Sequence, residues 1–275
     1  MPVTFLAHQA PVLPLKRWRP GLDGVALVAG SAVPDLARAT QHNTAMPYLF
    51  GWPTWFDGHR PDQLVSWCLV VGLLLTWSAR RLVLPRLAGH LPDLGGFHLR
   101  DLRLVGRVRH RWWNVVLCVL VGAITHVVID MFTHEDHSVI VPGFDQHLFD
   151  VAGRSLSVAN VLQVVLSLAL SVVAVRQMWA IGRERLLCRW HGADPAPAPT
   201  PPRHRTVVAS VVVAAVLSGL LGATQTSRGV DVALFTWVVL GWLSLCVIAA
   251  FVPRPDDAGP PTAAVRTTAE TSGAA

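Results

Sequence analysis

Residues 113–134 read WNVVLCVLVGAITHVVIDMFTH. The run 113–133 has the ~20 mostly apolar residues that a membrane-crossing helix needs. Its second half nevertheless carries His126 and Asp130, and His134 follows four residues further on. At 3.6 residues per turn these three project from one face of a helix. Ionisable groups are expensive in hydrocarbon and normally face a site or a partner. The stretch therefore predicts both a spanning helix and a polar centre on it.

Four further runs qualify as spans, at 64–84, 156–181, 206–224 and 232–252. Composition agrees with them: 52% of residues are hydrophobic, only 15% are charged, and mean hydropathy is +0.45. Soluble domains usually carry about 25% charged residues, so disorder, a disulfide scaffold and a collagen-like fibre are excluded for most of the chain. Val25–Val33 is apolar but too short to span alone, and it ends in Pro34-Asp35. Segments 7–17 and 24–35, joined around Arg19-Pro20-Gly21, read as a short hairpin. The predicted fold is thus an all-α polytopic membrane helical bundle of about five transmembrane helices plus a short N-terminal helical hairpin. Lys16, Arg17 and Arg19 then fall at the hairpin tip, where they need water or a headgroup layer.

The 22 Arg and single Lys outnumber 17 acids, for a net charge of +6. Because the arginines lie between apolar runs, they point to topology and lipid headgroups, with no nucleic acid as partner. Loop 79–112 holds eight Arg and 182–205 holds five, whereas 134–155 holds one Arg and four acids. Basic loops alternate with acidic ones, as the positive-inside rule requires. This predicts a multi-pass protein of the bacterial inner membrane, with loops 79–112 and 182–205 and the C-terminus cytoplasmic. A reporter fused near Gly95 should be active only if it functions inside the cell; its export would overturn the orientation. Arg100, Arg103, Arg107 and Arg111 recur at helical spacing opposite Leu99, Leu102, Val105 and Val108, consistent with an interfacial amphipathic helix as well as with a plain basic loop.

The chain divides by composition. Residues 1–182 hold the polar centre, and 183–205 form a Pro/Arg-rich cytoplasmic linker. A C-terminal transmembrane pair at 206–252, almost without polar groups, is expected to carry no site residue. The tail 253–275 reads as disordered. The four Cys show no metal-ligand spacing.

Imidazole and carboxylate are ligands for zinc and similar divalent ions, and His126-x-x-x-Asp130 places two of them on consecutive turns. A hairpin brings His8 and Asp35 together at one end, and His59 precedes the first span on the same predicted side. The expected metal ligands are His8, Asp35, His59, His126 and Asp130, with His134 or Asp136 as catalytic proton carrier. The same residues also allow a structural His–Asp pair, and His42 and His137 read as solvated loop residues.

Three stretches carry a resemblance: Met1–Leu15 (MPVTFLAHQAPVLPL), Ala29–Asp35 (AGSAVPD) and Gly122–His134 (GAITHVVIDMFTH). Over about residues 1–180 they resemble a bacterial membrane family, domain of unknown function 4184. Its His and Asp pattern is similar to a wider set of membrane-bound metal-dependent hydrolases. The resemblance falls on His8, Asp35, His126, Asp130 and His134, and more weakly on His59, which stands in His59-Arg60-Pro61. The family has no established activity, so the resemblance implies an uncharacterised integral membrane protein; the His and Asp set leads to metal-dependent hydrolysis of a lipid-like substrate at the membrane interface as the expected activity. The alternative is a non-catalytic scaffold or a metal or proton carrier. No repeated broken-helix pattern of a secondary transporter is visible, nor are a Ser-His-Asp triad, a P-loop or a Gly-rich nucleotide motif.

Overall fold

The structure, a computed structural model, describes residues 4–41, 58–132, 143, 145–151, 154–195, 203–228 and 230–253. The chain is a helical bundle. Short helices α1 (Thr4–Ala7) and α2 (Val12–Trp18) lead to α3 (Gly24–Gln41). One continuous helical segment, α4 (Pro61–His90), follows, and then α5 (Trp112–Met131). A two-stranded antiparallel hairpin, β1 (His147–Val151) and β2 (Arg154–Ser157), precedes α6 (Val158–Arg183). Helices α7 (Leu186–His191), α8 (Arg203–Ala223) and α9 (Val230–Phe251) complete the described chain.

Five of these helices are long and apolar enough to cross a membrane: 61–90, 112–131, 158–183, 204–223 and 232–251. The protein is a multi-pass membrane protein. The first span is longer than the apolar run 64–84 and changes pitch twice, with π-helical turns at Leu64–Cys68 and Ala79–Val83. No proline inside the run announces the first of these.

The hairpin has one arm longer than the sequence suggested. Helix α3 has 18 residues, about 27 Å at 1.5 Å per residue, close to the ~30 Å of a hydrocarbon core. It lies parallel to α5, with Asp23 beside Asn114 and Cys118 at one end and Asp35 beside His126 at the other. The hairpin tip therefore sits at the Arg-rich end of the bundle, which gives Lys16, Arg17 and Arg19 the polar surroundings they need. Lys16 Nζ donates to the carbonyls of Pro20 and Leu22, and Arg17 pairs with Glu184 at 3.3 Å.

Close packing of α3 on α5 follows from glycine. A Cβ on Gly122 would stand 2.4 Å from the Leu27 carbonyl oxygen and 2.7 Å from the Ser31 nitrogen. On Gly30 it would stand 2.1 Å from the Val119 carbonyl oxygen. Small residues let membrane helices approach backbone to backbone, and here they set the separation across which the site is built. Gly122→Val should destabilise the protein by roughly 1–3 kcal/mol, read as thermal unfolding in detergent. Gly219→Ala, whose new carbon would meet only ordinary contacts beyond 3.4 Å, should leave the unfolding temperature unchanged.

Buried side chains on either side of this seam form the core: Val33, Ala37, Trp67, Cys68 and Ala123 toward the site, and Val12, Ala26, Leu27, Cys118 and Val119 toward the tip. Phe235 of α9 is buried in the first cluster, and Trp242 Nε1 donates to Ser78 Oγ at 3.1 Å. Helix α9 thus packs on α3, which carries Asp35, and on α4.

Loop 91–111 caps the Arg-rich end. Residues Leu99–Gly106 form a 3-10 helix whose Leu104 and Val105 are buried inside the protein. Of the four residues read as an apolar face, Val105 is thus covered by protein, while Leu99, Leu102 and Val108 are half-buried. Arg100 pairs with Asp93 at 2.6 Å and holds that carboxyl below the usual carboxylate range. Burial, reinforced by Asp101, pushes the Cys188 thiol up to about 11, which leaves it protonated and inert at neutral pH.

Candidate metal centre

The centre is assembled from four segments, none of which could make it alone. Helix α5 supplies His126 and Asp130, one turn apart on its buried face. Met131 ends α5, one residue beyond Asp130, so His126 lies about 7 Å inside the helix end. Helix α3 supplies Asp35, one residue after Pro34. The turn between α1 and α2 supplies His8, and the residue pair before α4 supplies His59.

Gly58 explains how His59 arrives. A Cβ there would lie 2.4 Å from the Pro34 carbonyl oxygen, so only glycine lets this segment press onto α3 beside Asp35. Cys68 Sγ donates to the Gly58 carbonyl at 3.4 Å and ties the segment back to α4.

The side chains converge. His59 Nε2 lies 2.8 Å from Asp130 Oδ2, and His126 Nε2 lies 3.2 Å from the same oxygen. His126 Nε2 is also 3.7 Å from Asp35 Oδ1. One donor atom from each of Asp35, His59, His126 and Asp130 falls within 4.8 Å of all the others. His8 sits against this group: its ring stacks on His126 with centroids 3.6 Å apart, and its Nε2 lies 3.4 Å from Asp130 Oδ1. His126 is fully buried, and His8, Asp35 and Asp130 are no more than 5% exposed. His59 is the most open of the five, with a side chain 18% exposed.

Hydrogen bonds around the group orient it. His126 Nδ1 donates to the Ser31 carbonyl at 2.7 Å, which leaves Nε2 with its lone pair and aims it at the two carboxylates. Ring nitrogens of metal-binding histidines are commonly fixed in this way by a backbone carbonyl. Ser31 Oγ donates to Gln9 Oε1 at 2.9 Å, fastening the turn that carries His8 onto α3. Neither Ser31 nor Gln9 stood out in the sequence, although both lie within the stretches quoted there. A polar side chain inside an apolar run beside a candidate ligand was the available signal.

Several polar atoms have no hydrogen bond among the described residues: both nitrogens of His8, Nε2 of His126 and Oδ2 of Asp35. Buried polar atoms are nearly always satisfied, and exceptions call for a functional explanation. Within the group, His126 Nε2 stands 3.2 and 3.7 Å from the two carboxylates, yet it and Asp35 Oδ2 are unserved by hydrogen bonds. Two carboxylates and two imidazoles are also a donor set that divalent zinc and its neighbours accept. The residues present fit a divalent metal.

His134 and Asp136, expected as proton carriers, and His42 and His137 lie outside the described residues. No grouped residue comes from α8 or α9.

No curated protein and no solved structure matches the chain. A family model does, and its match runs past the residues 1–180 that carry the motifs, through both C-terminal helices. Over residues 1–253 the chain belongs to the family of the domain of unknown function 4184.

Proposed function

We propose that the protein is a metal-dependent hydrolase acting on a lipid-like substrate at the membrane interface. The observation that carries this reading is the convergence of Asp35, His59, His126 and Asp130 within 4.8 Å, in a membrane bundle, with acceptor atoms of His126 and Asp35 left unserved. These four residues would hold a divalent ion, zinc foremost, and when bound it would supply a water activated for attack at neutral pH.

The chain's own residues have separate tasks. Asp35 and Asp130 bring the negative charge that a dication requires. Ser31, through its carbonyl, holds the imidazole of His126 in the tautomer that leaves Nε2 available. His59, the most exposed of the group, marks the side from which a substrate approaches. His8, stacked on His126 and without a hydrogen bond, is placed to meet a polar group of that substrate. His134 and Asp136, close in sequence to Met131, are the proposed proton carriers. A site about one and a half turns inside a helix end suits a substrate that resides in the lipid layer.

Metal analysis of the detergent-purified protein tests the reading, together with hydrolysis of ester and phosphodiester lipids. About one divalent ion per chain and metal-dependent turnover are expected. A chain that binds no divalent ion after growth in supplemented medium overturns the reading. Bound metal without turnover on either class of lipid favours a non-catalytic scaffold or carrier.

A further inference from the structure

The arginines at the basic end are not alike. Arg80 pairs with Asp23, Arg100 with Asp93, Arg17 with Glu184, and Arg185 approaches Asp101. Arg19, Arg109 and Arg111 are exposed, and among the described residues none of the three pairs with an acid.

These three belong to one surface. The hairpin tip is joined to the start of α5 by Asn114 Nδ2 donating to the Gly21 carbonyl at 3.0 Å and by Asp23 N donating to Asn114 Oδ1 at 3.2 Å. A single guanidinium, that of Arg80, also reaches both Asp23 and the Val108 carbonyl. Residues 19–23 and 108–114 are therefore held side by side. Around them stand three tryptophans: Trp18 is 71% exposed, Trp112 77% and Trp113 48%. Arg19 already lies over the Trp18 ring, 4.6 Å from its centroid.

We infer that this surface binds the headgroup of an anionic phospholipid between the hairpin tip and the start of α5. Charge complementarity identifies the occupant's sign: three unpaired guanidiniums face outward, and no acid lies in the first turn of α5. Guanidinium forks match phosphate oxygens in geometry as well as charge. The positive end of the α5 dipole adds to the same potential. The tryptophans identify the source as a lipid. Their amphipathic rings belong at headgroup level, and α5 enters the bilayer immediately after them. A bound headgroup would link the hairpin, which carries His8 and Asp35, to the helix that carries His126 and Asp130.

The test is lipid retention by the full chain in nanodiscs of equal phosphatidylglycerol and phosphatidylcholine, counted by native mass spectrometry. The wild type should retain phosphatidylglycerol over phosphatidylcholine by about tenfold, as expected where several basic groups meet an anionic surface. The triple variant Arg19→Gln/Arg109→Gln/Arg111→Gln should bring this below about twofold. Arg60→Gln, at the opposite end of the bundle, should leave it unchanged. If the triple variant does not insert, the single variants Arg19→Gln and Arg109→Gln should each lower the preference. Equal retention of the two lipids by the wild type, or a preference that survives the substitutions, overturns the inference. Metal content of the variants reports on the site separately and should match the wild type.

Discussion

His126→Ala is expected to lower divalent-metal affinity by more than about a hundredfold, the upper range for loss of a mere outer-shell partner of a ligand. His126 is central to the group: its Nε2 lies within 3.7 Å of both carboxylates, and its ring is fully buried. Competition with a chromophoric chelator would measure the loss. The wild type should also lose thermal stability on chelation, because a ligand present at a thousand times its Kd stabilises by about 4 kcal/mol. With affinity lowered a hundredfold or more, His126→Ala should keep at most about 1.4 kcal/mol of that response.

Asp35→Asn separates a metal centre from a structural His–Asp cluster. The carboxylates of Asp35 and Asp130 lie within 4.8 Å of each other and repel by a few kcal/mol at an effective dielectric of about 20, and a dication converts that repulsion into attraction. Neutralising Asp35 should therefore stabilise the metal-free protein and abolish its stabilisation by metal. A purely structural cluster predicts a loss of stability regardless of metal. Unfolding temperatures with and without chelator distinguish the two, and a loss of equal size in both conditions would reject the metal centre.

What could be read from the sequence was whatever depends on local spacing. Apolar runs of about twenty residues gave the five spans, and the i, i+4 relation of His126 and Asp130 placed both on one face. Proximity of His8 and Asp35 followed from the hairpin, since a tight turn near Arg19 leaves their helices side by side. What could not be read depends on where backbones touch. Gly30 and Gly122 look like ordinary small residues until each faces a carbonyl of the other helix. Gly58 gives no local sign that it must fit beneath Pro34. Helix α3 was underestimated because Asp35 interrupts its hydropathy, although that residue is buried against His126. The sorting of arginines into acid-paired and unpaired groups was also invisible, because each partner is chosen by tertiary contact. Asp23, 57 residues from Arg80, has nothing in its neighbourhood to mark it.

Asp23 provides the largest expected effect away from the centre. It is 1% exposed, and its carboxylate does two things at once. One oxygen pairs with Arg80, while the other accepts from the backbone nitrogens of Val25 and Ala26 at 3.1 and 3.2 Å and so caps α3. Asp23→Ala leaves a guanidinium whose side chain is 11% exposed without its counter-charge. Breaking one half of a buried pair costs about 3–5 kcal/mol, and loss of the cap adds about 1 kcal/mol. Arg80→Ala should cost a similar amount by stranding Asp23. The double variant should cost clearly less than the sum of the two, because neither charge is then left alone, and the coupling should fall in the range of about 0.5–3 kcal/mol. Unfolding in mixed detergent micelles measures all three. Because Asp23 anchors the tip from which α3 runs to Asp35, the single variants should also bind metal more weakly than the wild type, even though Asp23 is far from every ligand. Additive losses in the double variant would mean that Asp23 and Arg80 act independently, and unchanged metal affinity would mean that the hairpin reaches the centre without its anchor.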